Sequence, residues 1–188
     1  MKKRTLALIL ALVLVFGAAV GGTIAYLTDT TGPVTNTFTV GKVEITLDEA
    51  KVDEYGVAVT PATRVEANTY KLIPGHTYIK DPTIHVATGS EDCWLFAKIN
   101  NGLDTAATLT MAQGWTEIDT TNHVWAYNTK VSAGADVTVF TQFTFSKDIT
   151  ATQLTGYNGK TIVVTACAVQ ADGFANANAA YAAANFGA

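Results

Sequence analysis

The alternation of apolar and polar residues is the feature that most constrains this chain. Between residues 42 and 48, Val43, Ile45 and Leu47 interleave with Lys42, Glu44, Thr46 and Asp48. That spacing sends one set of side chains to each face of a pleated strand. Residues 136–145 repeat the rule, with Val137, Val139, Phe143 and Phe145 on one face. A helix, with its period near 3.6, could not bury either stripe. Residues 57–60, 77–87, 93–99, 124–127 and 161–170 also read as strands. Turn chemistry divides them at Pro74-Gly75, Asn101-Gly102, residues 132–134 and Asn158-Gly159. Thirty threonines, with valine and aromatics, suit half-buried pleated surfaces. Seven or eight short strands in one domain predict an all-β fold, a jelly-roll-like antiparallel β-sandwich.

One segment departs from the period of two. Residues 171–185 are alanine-rich, and Phe174, Ala177, Tyr181 and Ala184 recur at helical spacing. They predict a short C-terminal helix, about residues 172–185, with its aromatic side on the sheet. The asparagines and the terminal glycine leave a frayed tail as the alternative.

At the other end, Lys2, Lys3 and Arg4 precede an uncharged run over residues 5–27, strongly apolar from Leu6 to Val20. A basic end, an apolar segment and small residues form a secretory signal, here residues 1–25. Thr23 and Ala25 put small side chains at the two positions a signal peptidase restricts, so the mature chain begins at Tyr26. The alternative is a retained anchor, since at about 1.5 Å per residue the run could cross a bilayer core of about 30 Å. The first cysteine is Cys93, which excludes lipid attachment at a new N-terminal cysteine. The partition is residues 1–25 as signal, 26–37 as an extended segment and 38–188 as one domain. The expected location is secreted, extracellular or at the cell surface, with membrane contact only through an uncleaved signal.

Without the signal, nine Lys+Arg face 16 Asp+Glu, a net charge of −7. Such a surface has no counterions to release from phosphates, so nucleic acid is not an expected partner.

Catalytic chemistry finds little support. His76, His85 and His123 fall in turns or strands, without the His-Glu-x-x-His spacing of a zinc hydrolase. His85 and Cys93 could approach in a hairpin, but packing is the commoner role of a strand histidine. Ser90, Ser132 and Ser146 lie outside any nucleophile elbow. No cofactor, metal or catalytic residue is expected. Asp48-Glu49, Asp53-Glu54 and Glu91-Asp92 read as a solvated acidic rim, with loose calcium binding as the alternative. Trp94, Trp115 and Trp125 read as core or edge packing, with stacking on sugars as the alternative. Cys93 and Cys167 could form a disulfide, constraining the unfolded chain by about 4 kcal/mol, if their strands are neighbours and both side chains share a face. Buried free thiols are the other outcome.

Particular residues also carry a resemblance. The segment G-G-T-I-A-Y-L-T-D, from Gly21 to Asp29, is followed by N-T-F-T-V-G-K-V, from Asn36 to Val43. Both resemble the start of the TasA and camelysin family, secreted by Gram-positive bacteria with signals read by a SipW-type peptidase. The similarity continues through P-G-H-T-Y-I-K-D-P at residues 74–82, C-W-L-F-A-K-I at 93–99 and T-A-C-A-V-Q-A-D-G-F at 165–174. It implies a jelly-roll subunit that assembles, with copies of itself or related matrix proteins, into an extracellular matrix or biofilm fibre or a cell-surface layer. The physical route is strand donation: the segment after cleavage pairs with a free sheet edge of a neighbour while Tyr26, Leu27, Val34 and Phe38 enter pockets. Pro33 interrupts that ladder, so pairing falls on one side of it. The alternatives are a surface adhesion or glycan-binding module and a camelysin-like metallopeptidase. N-terminal sequencing of protein from culture medium is expected to begin at Tyr26; an intact Met1 would overturn the cleavage reading.

Overall fold

The structure, a computed structural model, describes residues 41–184 and Phe186. The cleavage residues Thr23, Ala25 and Tyr26, the donor residues Leu27, Val34 and Phe38, and Pro33 lie outside the described residues. The chain divides into two units, Met1–Thr39 and Val40–Ala188, and the second holds every element described.

Its strands are β1 (Ile45–Ala50), β2 (Arg64–Val65), β3 (Thr77–Ile79), β4 (Thr83–Val86), β5 (Cys93–Asn101) and β6 (Ala107–Met111). They continue with β7 (Trp115–Asp119), β8 (Val124–Tyr127), β9 (Asp136–Thr138), β10 (Phe140–Phe145) and β11 (Ile162–Gln170). A one-turn helix α1 (Ala151–Leu154) precedes β11, and α2 (Ala177–Ala184) follows it. All ladders are antiparallel, in sheets ordered β2-β1-β4-β9, β3-β10-β6 and β11-β5-β8-β7.

The first two sheets are halves of one bent sheet. Only Lys80, Asp81 and Pro82 separate β3 from β4, and only Val139 separates β9 from β10. Pro82 has no N–H to give a ladder, but its carbonyl accepts from the Val139 N–H at 2.8 Å and carries the pairing across the break. With each broken pair taken as one strand, the strands run around the sandwich as β1, β3/β4, β9/β10, β6, β7, β8, β5, β11. This is a chain folded in half and rolled up. The second strand lies on the seventh, the third on the sixth, the fourth turns into the fifth, and the first meets the last. The expected jelly-roll-like β-sandwich with a short C-terminal helix is therefore the fold.

Strand β5 explains why two layers form and a helix is added. Cys93, Leu95, Ala97 and Ile99 face Ile84, Val86, Val137 and Val139 inside the sandwich. Trp94 and Phe96 point the other way, with Val124 and Ala126, onto Ala180, Tyr181 and Phe174 of the C-terminal segment. A strand buried on both faces reads as an unbroken apolar run, which is what residues 93–97 are. The Tyr181 hydroxyl donates to Asp119 Oδ2 at 2.8 Å and fixes α2 to the end of β7. The Asp119 carboxyl is held down at about 2, first by the Asn122 side chain, then by the Asn122 N–H and the Tyr181 hydroxyl.

The turns match their sequence signals. Gly75 sits at φ 81° in the turn closed by His76 N–H on the Ile73 carbonyl at 3.1 Å, and Gly159 at φ 75° follows Asn158 in another. The long alternating segments differ from expectation. Residues 77–87 and 136–145 each break and change sheets, and Phe140 is buried out of phase. A register shift between Phe140 and Gln142 restores the phase, so that Phe143 and Phe145 point inward as expected. Residues 57–60 form no strand and hold one bridge, Ala58 to Val52, while β2, β6 and β7 arise where none was expected. The helix is shorter than the expected 172–185.

Replacing Leu95 or Phe96 by alanine removes packing from opposite faces of one strand. Each is expected to cost about 3 kcal/mol, and the double variant the sum of both, by urea denaturation.

Candidate assembly site

The long edge strand and the first strand leave a seam open. Among the described residues, strand β11 pairs only β5 along its nine residues, while β1 pairs β4 through Ile45–Asp48 and β2 through Glu49 and Ala50. Among the described residues, β1 and β11 share no ladder where they meet, and no strand pairs the seam-facing edge of either along Ile45–Asp48 or Ile162–Gln170. A cleft of about 860 Å³ opens at this seam. Leu47, Leu103, Phe143, Tyr157, Ile162 and Val164 give it apolar walls, and Glu49, Asn68 and Lys80 stand at one end. Val163 alternates outward and is 47% exposed. A free edge beside an apolar cleft can accept an extended segment through main-chain bonds and side-chain pockets together.

At the polar end, the carboxylate of Glu49 is buried and pairs with Lys80 Nζ at 2.5 Å. Around it, Asp81 Oδ1 accepts from the Ala50 N–H at 2.6 Å, and Arg64 forks onto Asp48 and Asp81. The acidic pair Asp48-Glu49 is thus committed to partners within the fold. Asp53 Oδ1 likewise accepts from the Tyr55 and Val57 N–H groups, each at 2.9 Å.

The three histidines do not converge. His76 Nε2 lies 2.9 Å from the Tyr55 carbonyl, with its ring edge-on to Tyr78. His123 is exposed at φ 54°, 3.5 Å from Glu117. His85 lies on β4 between Asp136, 2.6 Å from Nδ1, and Asp48, 2.8 Å from Nε2. It does not approach Cys93, which lies in the sandwich core on the other sheet. Among the described residues, no group of three or more His, Cys, Asp or Glu is placed to hold a metal ion. The hydrogen bond to Asp48 leads in raising the His85 pKa, against burial, with Asp136 adding to it. Burial works against the Asp48 carboxylate, but hydrogen bonds from Arg64 and His85 outweigh it and hold its pKa low.

Of the two outcomes open for the cysteines, the structure holds free thiols. Their strands are neighbours, as a bridge requires, but Cys93 is paired with Gln170 and Cys167 with Phe96. Three positions of register separate them, an odd number, so the side chains stand on opposite faces of the sheet. Cys93 belongs to the sandwich core, Cys167 packs toward the helix side, and both are free thiols. Burial, then Asp92, pushes the Cys93 thiol up to about 11, and burial raises Cys167 as well.

Trp94 and Trp115 are buried, Trp115 donating from Nε1 to the Thr138 carbonyl at 2.9 Å, and Trp125 is half-buried. No protein-family model, no curated protein and no solved structure matches the chain.

Two measurements follow from these surroundings. Thiol titration is expected to find two groups per chain in denaturant, with no dependence on prior reduction, and almost none in the native protein at about pH 8. For His85, a raised folded pKa means stabilisation that is full below the ordinary value of about 6.5 and lost as pH rises through the folded value. Thermal melts of wild type against His85→Gln should therefore differ most below the ordinary value of about 6.5 and draw together as pH rises above it; a constant gap would refute the linkage.

Proposed function

We propose that this chain is a secreted structural subunit of an extracellular fibre or surface layer, built by donation of residues 26–38 of one copy to the next. The observation that carries the reading is the open seam between β1 and β11, with its apolar cleft. A β-sandwich normally covers, shortens or charges its edges to avoid pairing with other chains. Here, among the described residues, a nine-residue edge has no partner on one side and lies beside an apolar-walled cleft. The segment that would fill it is rich in threonine, with Tyr26, Leu27, Val34 and Phe38 as apolar anchors. An extended strand of this kind gains main-chain hydrogen bonds along the edge and buries alternate side chains in the cleft.

The arrangement is head to tail. Donor and acceptor are different surfaces of one chain, so repetition gives an open filament rather than a closed dimer. Removal of a signal at residues 1–25 would set the time of assembly, since a membrane-tethered donor cannot reach a neighbour's cleft. The resemblance to the TasA and camelysin family, carried in part by the donor residues Tyr26, Leu27 and Phe38 themselves, supports the same reading.

Protein lacking residues 26–37 is expected to stay monomeric while the intact mature chain forms fibres by negative-stain microscopy. Val164→Glu, which places a charge in the cleft wall, should leave the circular dichroism unchanged and stop growth. Fibres from either variant at the normal rate would refute strand donation into this seam.

A further inference from the structure

Among the described residues, Glu49 and Thr83 are the buried polar side chains, and Glu49 is 3% exposed. Its carboxylate does more than balance one charge. Oε2 lies 2.5 Å from Lys80 Nζ, and Oε1 accepts from Asn68 Nδ2 at 3.1 Å. One carboxylate therefore holds a primary amine and a carboxamide side by side. Glu49 is on β1, Asn68 follows β2 and Lys80 follows β3, so only the folded chain brings them together.

The carboxamide is oriented for reaction. Asn68 Nδ2 also donates to the Ala50 carbonyl at 2.8 Å, while Oδ1 accepts from the Val52 N–H at 3.0 Å. That backbone donor is aimed at the atom on which negative charge would develop if a nucleophile added to the carboxamide carbon. The amine is withdrawn from water, its side chain 11% exposed. Aromatic rings close the neighbourhood: Tyr70 packs edge-on to Tyr78 and Phe143, with centroids 5.7 and 5.3 Å away, and donates from its hydroxyl to the Ile79 carbonyl at 3.1 Å. A desolvated lysine beside a proton acceptor is an activated nucleophile, and a positioned carboxylate can carry protons in both directions.

We propose that Lys80 and Asn68 are joined by an intramolecular isopeptide bond that the folded chain forms by itself, with Glu49 as the proton carrier. The Nζ ammonium gives a proton to Glu49 Oε2, and the freed lone pair attacks Asn68 Cγ. As the Nζ–Cγ bond forms, the carbonyl π pair moves to Oδ1, where the Val52 N–H stabilises it. Glu49 passes its proton to Nδ2, the Cγ–Nδ2 bond breaks with its electrons going to nitrogen, and the carbonyl re-forms. Glu49 removes the surplus proton from Nζ and yields it to the departing ammonia. An ammonium side chain and a carboxamide become one secondary amide and one ammonium ion, with no change of oxidation state and no other reagent.

This inference is independent of fibre formation, because it is a reaction within one chain. The experiment is tryptic mapping by mass spectrometry of the full chain as purified. The expected product is a branched species in which residues 65–71 are joined to residues 72–98, lighter by one ammonia than the two peptides together, with Lys80 uncleaved. Lys80→Arg keeps the charge but cannot form this product and should show none, and folded Glu49→Gln should show little or none. Separate peptides with Lys80 cleaved normally would overturn the proposal. So would a loss of ammonia confined to the Asn68 peptide, which marks a succinimide, or undiminished cross-linking in Glu49→Gln.

Discussion

Two-sided burial of β5 is the constraint on which the rest of the domain depends. A strand with apolar side chains on both faces must be covered twice. The bent sheet containing β4 and β9 covers the Leu95 face, and α2 covers the Trp94 and Phe96 face. Each Leu- or Phe-sized side chain so buried is worth about 2 kcal/mol, so neither cover is dispensable. The same demand explains why an alanine-rich helix of low intrinsic need for burial is held in place. Ala180 is small enough to let the helix approach the sheet, while Tyr181 supplies both an apolar ring and a hydroxyl for Asp119.

Rolling a folded-in-half chain around β5 places the first and last strands together at the end of the roll. Each has a partner on the edge away from the other, β4 for β1 and β5 for β11, and among the described residues the two facing edges share no ladder. β1 spends its hydrogen bonds on β4 and, for its last two residues, on β2; β11 spends its on β5. The seam is thus a consequence of topology, and the cleft beside it is the gap left when two sheets meet without a common ladder.

The sequence discloses strands well where burial follows parity and poorly where the chain changes sheets. Ile45 to Leu47, the 93–99 run, Val124 to Tyr127 and residues 162–170 all lie on strands that begin and end in one sheet, and their patterns were legible. Pro82 could have signalled the break in residues 77–87, since a proline cannot continue a central ladder. The break at Val139 had no such sign, because burial of Phe140 beside Val139 looks like two more apolar residues in an apolar stretch. Strand β6 carries the same alternation, Ala107, Leu109 and Met111 against Thr108 and Thr110, and was readable by it, whereas the register shift between Glu117 and Asp119 breaks the period of β7. The capping box of α1, Thr150 with Gln153, was present as Thr-Ala-Thr-Gln and was readable three residues apart. The cysteines show the limit of pattern: adjacency of their strands and parity of their positions are both decided by register, which depends on the whole roll. Glu49, Asn68 and Lys80 were invisible for the same reason.

The group around Glu49 is also the least economical interaction in the fold. Taking a carboxylate and an ammonium from water costs several kcal/mol for each ion, and a well-packed apolar pair at the same place would often be more stable. The pair Glu49–Lys80 stands close to Tyr70, Tyr78 and Phe143, where such a replacement would pack readily. The surroundings instead satisfy the carboxylate twice and fix the neighbouring carboxamide from both of its ends, which stability alone does not require. Conversion to an amide would remove the lysine's charge and its desolvation cost, and would tie the segment after β2 to the end of β3 with a bond that thermal motion cannot open. In a chain whose β1 edge faces an open seam, that tie acts where the sandwich is otherwise held by hydrogen bonds and one short strand.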